Sequence, residues 1–91
     1  MIEAFQSYVG TADAQVAAAG VSGVLHGVII TASATGSIAI YDGTATTDPA
    51  LTVIRVPSAD SKAVMHMNIA FHNGLYADIG GGVTQYTMIY G

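Results

Sequence analysis

The sequence of 91 residues predicts an all-β protein: a compact antiparallel β-sandwich, jelly-roll-like in one arrangement of its strands, with a short N-terminal arm. Three observations predict it. Short segments rich in Val, Ile, Thr, Tyr and Phe recur between Gly, Pro, Asn and Asp punctuation. Inside several of them apolar and polar residues alternate with a period of two, which places one set on each face of a strand. No long stretch shows a helical period.

Taken in order, residues 1–20 are expected to form the arm or an extended segment, and residues 21–91 a single sandwich domain. A short extended piece is expected at 4–9, and the Ala-rich stretch 12–19 reads as a helical turn or a loop. Strands are expected at 21–32, 37–41, 51–56, 63–71, 75–79 and 83–90. In "GSIAIYDG", Ile38 and Ile40 oppose Ser37, Ala39 and Tyr41. In "VMHMNIAF", Met65, Met67, Ile69 and Phe71 share one face, with His66, Asn68, Ala70 and His72 on the other. The run "GVLHGVIIT" is apolar on both faces apart from His26, as befits a central strand or one covered by a neighbouring chain.

The turns follow from their residues. Gly36 in "ATGS" suits a tight hairpin between residues 32 and 37. Asp42-Gly43 and Asp48-Pro49 bound a longer loop, and Pro57, which cannot donate to a ladder, ends the strand before it. Asn73-Gly74 is the strongest short hairpin signal, and Gly80, Gly81 and Gly82 are expected to turn between the last two strands.

Composition narrows the function classes. Charged residues make up 9% of the chain and hydrophobic ones 52%, against roughly 25% charged in an ordinary soluble domain. Solvent-facing positions therefore fall to Thr, Ser, Gly and Ala, a surface suited to lying against another protein. Arg55 and Lys62 are the whole basic complement and the net charge is −4, which argues against nucleic acid and against anionic membrane surfaces as partners. No apolar run reaches the roughly 18 residues of a membrane-spanning helix. "MIEAFQSYVG" carries Glu3 and no basic residue, so no signal peptide is expected and synthesis in a cytoplasm is. A chain this short has a marginal core, and without cysteine it lacks disulfides. Association with further copies is the expected remedy.

The chemistry-bearing residues point to no reaction. Of the three histidines, His66 and His72 would stand about 20 Å apart along one strand, too far to share an ion, and His26 is remote in sequence. A histidine from each of several subunits on a symmetry axis is the remaining metal arrangement. "IGGGV" lacks the lysine and following helix of a phosphate loop. Asp42, Asp48, Asp60 and Asp78 lie beside turns, where carboxylates cap backbone N–H groups; a calcium site at Asp42 and Asp48 lacks the EF-hand pattern. No nucleophile motif is present, and a carboxylate pair for glycoside cleavage leaves no spacing to read. No catalytic residue, cofactor or metal is assigned. The candidate interface residues are aromatic and aliphatic: Ile2, Phe5 and Tyr8, spaced three apart as anchors on the arm, and the strand tyrosines Tyr41 and Tyr76.

"GVSGVLHGVIITASATGSIAIYDGTA" and "HNGLYADIGGGVTQYTMIYG" carry a resemblance over residues 20–91. The chain resembles small β-rich virion proteins of tailed bacteriophages, through the "SGVLHGV" strand followed by "ATGSIAIYDGTA", the "NGLY" corner and the final strand "VTQYTMIYG". The resemblance implies a capsid decoration, or cement, protein on the outside of a phage head. Its partner would be the major capsid protein, and it would be a homo-oligomer, with a trimer favoured, localised to the virion. These motifs are structural, so no site residue comes with them. The alternatives are a tail or head-fibre component that recognises glycans through tyrosine-bearing loops, and a free carbohydrate-binding module or small hydrolase.

Overall fold

Among the described residues seven strands carry the fold: β1 (Gln6–Gly10), β2 (Ala14–Ala17), β3 (Gly23–Tyr41), β4 (Ala50–Val56), β5 (Ser61–Val64), β6 (Ile69–Phe71) and β7 (Leu75–Tyr90). They are seen in a computed structural model that describes residues 6–57, 61–64 and 67–91, with the backbone alone for 61–64. All their pairings are antiparallel.

The spine is the pair β3–β7, which runs from Leu25↔Tyr90 to Tyr41↔Tyr76 with one register shift near its start, between Leu25 and Gly27. Its register shifts at Thr31/Ala32 and again at Ala32/Gly36, facing Gly81 to Val83, and such irregularities bend and twist a strand. The bend divides the sheet into two layers. In the first, β1 flanks the C-terminal half of β7, and β5 and β6 flank the N-terminal half of β3. In the second, β2 flanks the start of β7 and β4 flanks the end of β3. The molecule measures 17 Å along its thinnest axis, room for two sheet layers about 10 Å apart.

Both layers feed one core. Leu25, Val28, Ile30, Tyr86 and Met88 come from the first, and Ile38, Ile40, Leu75, Ala77 and Val56 from the second. Each of the larger aliphatic side chains contributes about 1.5–3 kcal/mol by leaving water. The inward set follows the alternation of the sequence: Ile38 and Ile40 are buried, and Phe71 is buried with Met67 and Ile69 packed beside it, whereas Asn68, Ala70 and His72 are exposed. Two tyrosines of β7 reach across to the β1–β2 link and to β2. Tyr86 donates its hydroxyl to the Ala12 carbonyl at 2.9 Å, and Tyr90 donates to that of Val16 at 3.3 Å.

Several expectations are corrected. Residues 12–19 contain a strand, β2, with Val16 and Ala17 buried, because β7 offers that segment a backbone ladder. The described part of the expected arm, residues 6–20, thus holds two strands of the sheet, β1 and β2. Gly36 makes no hairpin: β3 runs on through it, and residues 80–82 likewise lie within β7 rather than in a turn. The glycines serve the bend instead. A Cβ at Gly82 would stand 2.5 Å from the backbone N and O of Ala34, and one at Gly36 2.6 Å from the Gly80 carbonyl, so only bare backbone lets these runs touch. The expected strand at 63–71 is two elements, β5 and β6, with Met67 and Asn68 outside either. Asn73-Gly74 does turn the chain, with Gly74 at φ 104°, but β6 and β7 lie on opposite sides of β3 and do not pair. The turn is an arch from one layer to the other.

Candidate functional site

The arch at residues 71–75 is built on a carboxylate. Asp42, just past the end of β3, accepts hydrogen bonds from the backbone N–H groups of His72 and Asn73, both at 2.8 Å through Oδ1. The Gly74 N–H donates to Val21 O at 2.8 Å. His72 is exposed at the tip, and His26 is half-buried in β3, where its carbonyl accepts from the Met67 N–H at 3.1 Å. His66 lies outside the described residues. Among the described residues no three His, Cys, Asp or Glu side chains are arranged to hold a metal ion.

The other aspartates serve the backbone as well. Asp48 Oδ2 accepts from Thr44 N at 2.9 Å and Ala45 N at 3.2 Å, closing the loop after β3. Asp13 Oδ1 accepts from Ile79 N at 2.8 Å and fastens the β1–β2 link to β7. Asp78 is raised above the ordinary carboxylate value by partial desolvation and by Asp13, which both hydrogen-bonds it and repels its charged form. An open groove of about 520 Å³ runs beside Asp13 to Gly80 and Gly81. A second, of about 480 Å³, lies across the bend between Ser37, Arg55 and Gly81. The glycine run separates the two and cradles the chain's own residues 34–36.

The candidate interface residues fall in different places. Ile2 and Phe5 lie outside the described residues. Tyr8 turns inward: half-buried against the core, its ring centroid is 6.2 Å from that of Tyr86. Burial, with the charges of Tyr8, Asp13 and Tyr76 adding to it, pushes the Tyr86 hydroxyl up to about 12. Tyr41 and Tyr76 are cross-strand partners on the outer face of the second layer, both half-buried, with Gln15 opposite Tyr76 on its other side. The next rows of that face hold Asp78, Ala39 and Val53, then Ser37 and Arg55.

The outer face of the first layer is different. Val9, Thr87 and Ile29 form one register row across β1, β7 and β3, continued at the Ala63 position of β5. Ser7, Ile89 and Gly27 form the row beside it. Val9 is 57% exposed and Ile29 40%. No position in these rows is charged. Sequence reasoning missed Val9 as a surface residue, although the apolar run around Ile29, hydrophobic on both faces, carried the signal for its own position.

Comparison with known proteins gives no matching family model, no matching curated protein and no matching solved structure.

Proposed function

We propose that the chain is a non-enzymatic structural protein of a tailed-bacteriophage particle, a capsid decoration protein that lies on the outside of the head and ties major capsid subunits together. The observation that carries this reading is the pair of uncharged rows on the outer face of the first layer, where Val9 and Ile29 stand exposed in one row with Thr87 between them. Such a face gains by being covered, and a repeating shell offers every copy the same cover. The resemblance of residues 20–91 to phage virion proteins supplies the kind of partner. Mass spectrometry of purified particles tests it: the chain is expected at a copy number comparable to that of the major capsid protein. Its absence from the particles ends the proposal.

A second reading is favoured by one observation, the pairing of Tyr41 with Tyr76 on the opposite face. Tyrosines at paired strand positions, with Gln15 and Asp78 at neighbouring positions of the same face, offer apolar contact and hydrogen bonds to a sugar, as a glycan-recognising tail or head-fibre component requires. In that case the Tyr41→Ala/Tyr76→Ala double variant loses binding on a glycan array and particles carry few copies. A wild-type protein that binds no glycan removes this reading.

A further inference from the structure

Asn73 and Gly74 form the tip of the arch, and the pair has a chemistry of its own. An asparagine side-chain amide is open to attack by the backbone nitrogen of the next residue, and a glycine there leaves that nitrogen unshielded. Packing requires the glycine: a Cβ at residue 74 would stand 2.7 Å from the Ala17 carbonyl oxygen and 2.8 Å from that of Ala18, and its φ is 104°. Asn73 itself is exposed. The chain's other asparagine, Asn68, is exposed as well, but the branched side chain of Ile69 follows it and crowds the attacking nitrogen.

The arch also withholds the nucleophile. Attack needs the Gly74 nitrogen stripped of its proton and swung toward the side chain of Asn73. In the fold that N–H donates to Val21 O at 2.8 Å, and the N–H groups of His72 and Asn73 donate to Asp42 Oδ1 at the same distance. Three successive N–H groups are thus held, and the backbone between them is held with them.

We propose that Asn73 is a deamidation site gated by the arch: its side chain stays an amide while Asp42 and Val21 hold residues 72–74, and it is converted when they let go. In the open arch hydroxide takes the proton of the Gly74 nitrogen, which then bonds to the side-chain carbonyl carbon of Asn73. The C–N bond of the side-chain amide breaks, and ammonia leaves with a proton from water, giving a succinimide. Water opens that ring at either carbonyl, to aspartate or isoaspartate, and no oxidant or reductant enters. Either product makes the opening permanent. Isoaspartate lengthens the main chain between the N–H groups of residues 73 and 74. Aspartate adds a carboxylate to the residue whose N–H Asp42 accepts, and the two repel. The site rests on the arch alone, so its test is separate from that of the decoration proposal.

The full chain, incubated at mildly alkaline pH and mapped by peptide mass spectrometry for the mass gain of amide-to-acid conversion, is the experiment. Where opening and closing are fast, the rate is the open fraction multiplied by the rate of an unrestrained chain. Native protein should therefore convert Asn73 at least about tenfold more slowly than the same chain in urea, where residue 73 should convert ahead of residue 68. Asp42→Ala removes the acceptor of the His72 and Asn73 N–H groups and should speed the native reaction by about fivefold or more. If that variant does not fold, Asp42→Asn takes its place with a smaller acceleration. Gly82→Ala strains the bend and leaves the arch intact, so its rate should stay within about twofold of wild type. Native conversion as fast as in urea overturns the proposal, and that comparison needs no variant. So does equal acceleration by the Asp42 and Gly82 variants, which would place the gate in global unfolding, or no acceleration at Asp42, or earlier conversion of Asn68.

Discussion

Alanine at Gly82 and alanine at Gly80 are expected to change stability in opposite directions, although the two positions are neighbours in one strand. At Gly82 the new Cβ would stand 2.5 Å from the N and O of Ala34 and 2.6 Å from its carbonyl carbon. Comfortable C···O contact begins at about 3.3 Å, so the backbone of β3 must retreat by about 0.8 Å. It is not free to do so, because Thr35 donates its hydroxyl to Pro57 O at 2.6 Å and Ser33 donates to Gly82 O at 3.3 Å. Forcing atoms into a filled contact costs about 1–3 kcal/mol, against a gain of about 0.4–1 kcal/mol from the less flexible unfolded chain. The net loss of about 1–2 kcal/mol corresponds to a Tm lower by about 4–16 °C in a domain of this size. At Gly80 the nearest atom to the new Cβ is Ser37 Oγ, 3.9 Å away, so only the gain remains and Tm rises by a few degrees. Calorimetry at one fixed protein concentration, since association itself moves Tm, measures both. Two shifts of the same sign would refute the assignment of the glycine run to a steric bend.

Three further outcomes are expected. Asp42→Ala frees the two N–H groups of the arch and lowers stability by about 1–3 kcal/mol, whereas Asp42→Asn, which keeps an acceptor oxygen, loses less than half of that; urea unfolding of both separates the cases. The Tyr86 hydroxyl titrates at about 12 in the fold against about 10 in the unfolded chain, so its contribution is complete below pH 10 and is lost as pH rises toward 12. Alkaline titration followed by circular dichroism should show that loss, and Tyr86→Phe should shrink it while lowering neutral stability by about 1 kcal/mol for the missing bond to Ala12. Because Asp78 is raised in the fold, its stabilising contribution is present at acid pH and is lost as pH rises through its folded value. Asp78→Asn should therefore raise Tm at pH 7, and the advantage over wild type should vanish on acidification.

Strand positions were legible where the signal is local. Ile38 and Ile40, and Met67, Ile69 and Phe71, declared their inward faces by alternation alone, and Pro57 marked the end of the strand that closes at Val56. The Ala-rich segment 12–19 was not legible, since alanine has no strong preference for a strand and Val16 is buried only because β7 lies beside it. Gly36 and the run 80–82 were read as turns because glycine marks a turn and a close backbone approach with the same residue. The candidate surfaces divided in the same way. Tyr41 and Tyr76 each stood out as strand tyrosines, but their adjacency depends on a register between distant segments. Tyr8 carried no sign that its ring faces Tyr86.

Composition and local pattern suffice for the class: an all-β chain, poor in charge, without cysteine, whose segments alternate with a period of two. Those properties are sums or local patterns, and no long-range contact enters them. Long-range pairing was needed to carry β3 and β7 unbroken through the bend and to make the Asn73-Gly74 corner an arch held by Asp42. Pairing, register and exposure belong to two segments at once, and neither segment contains the other.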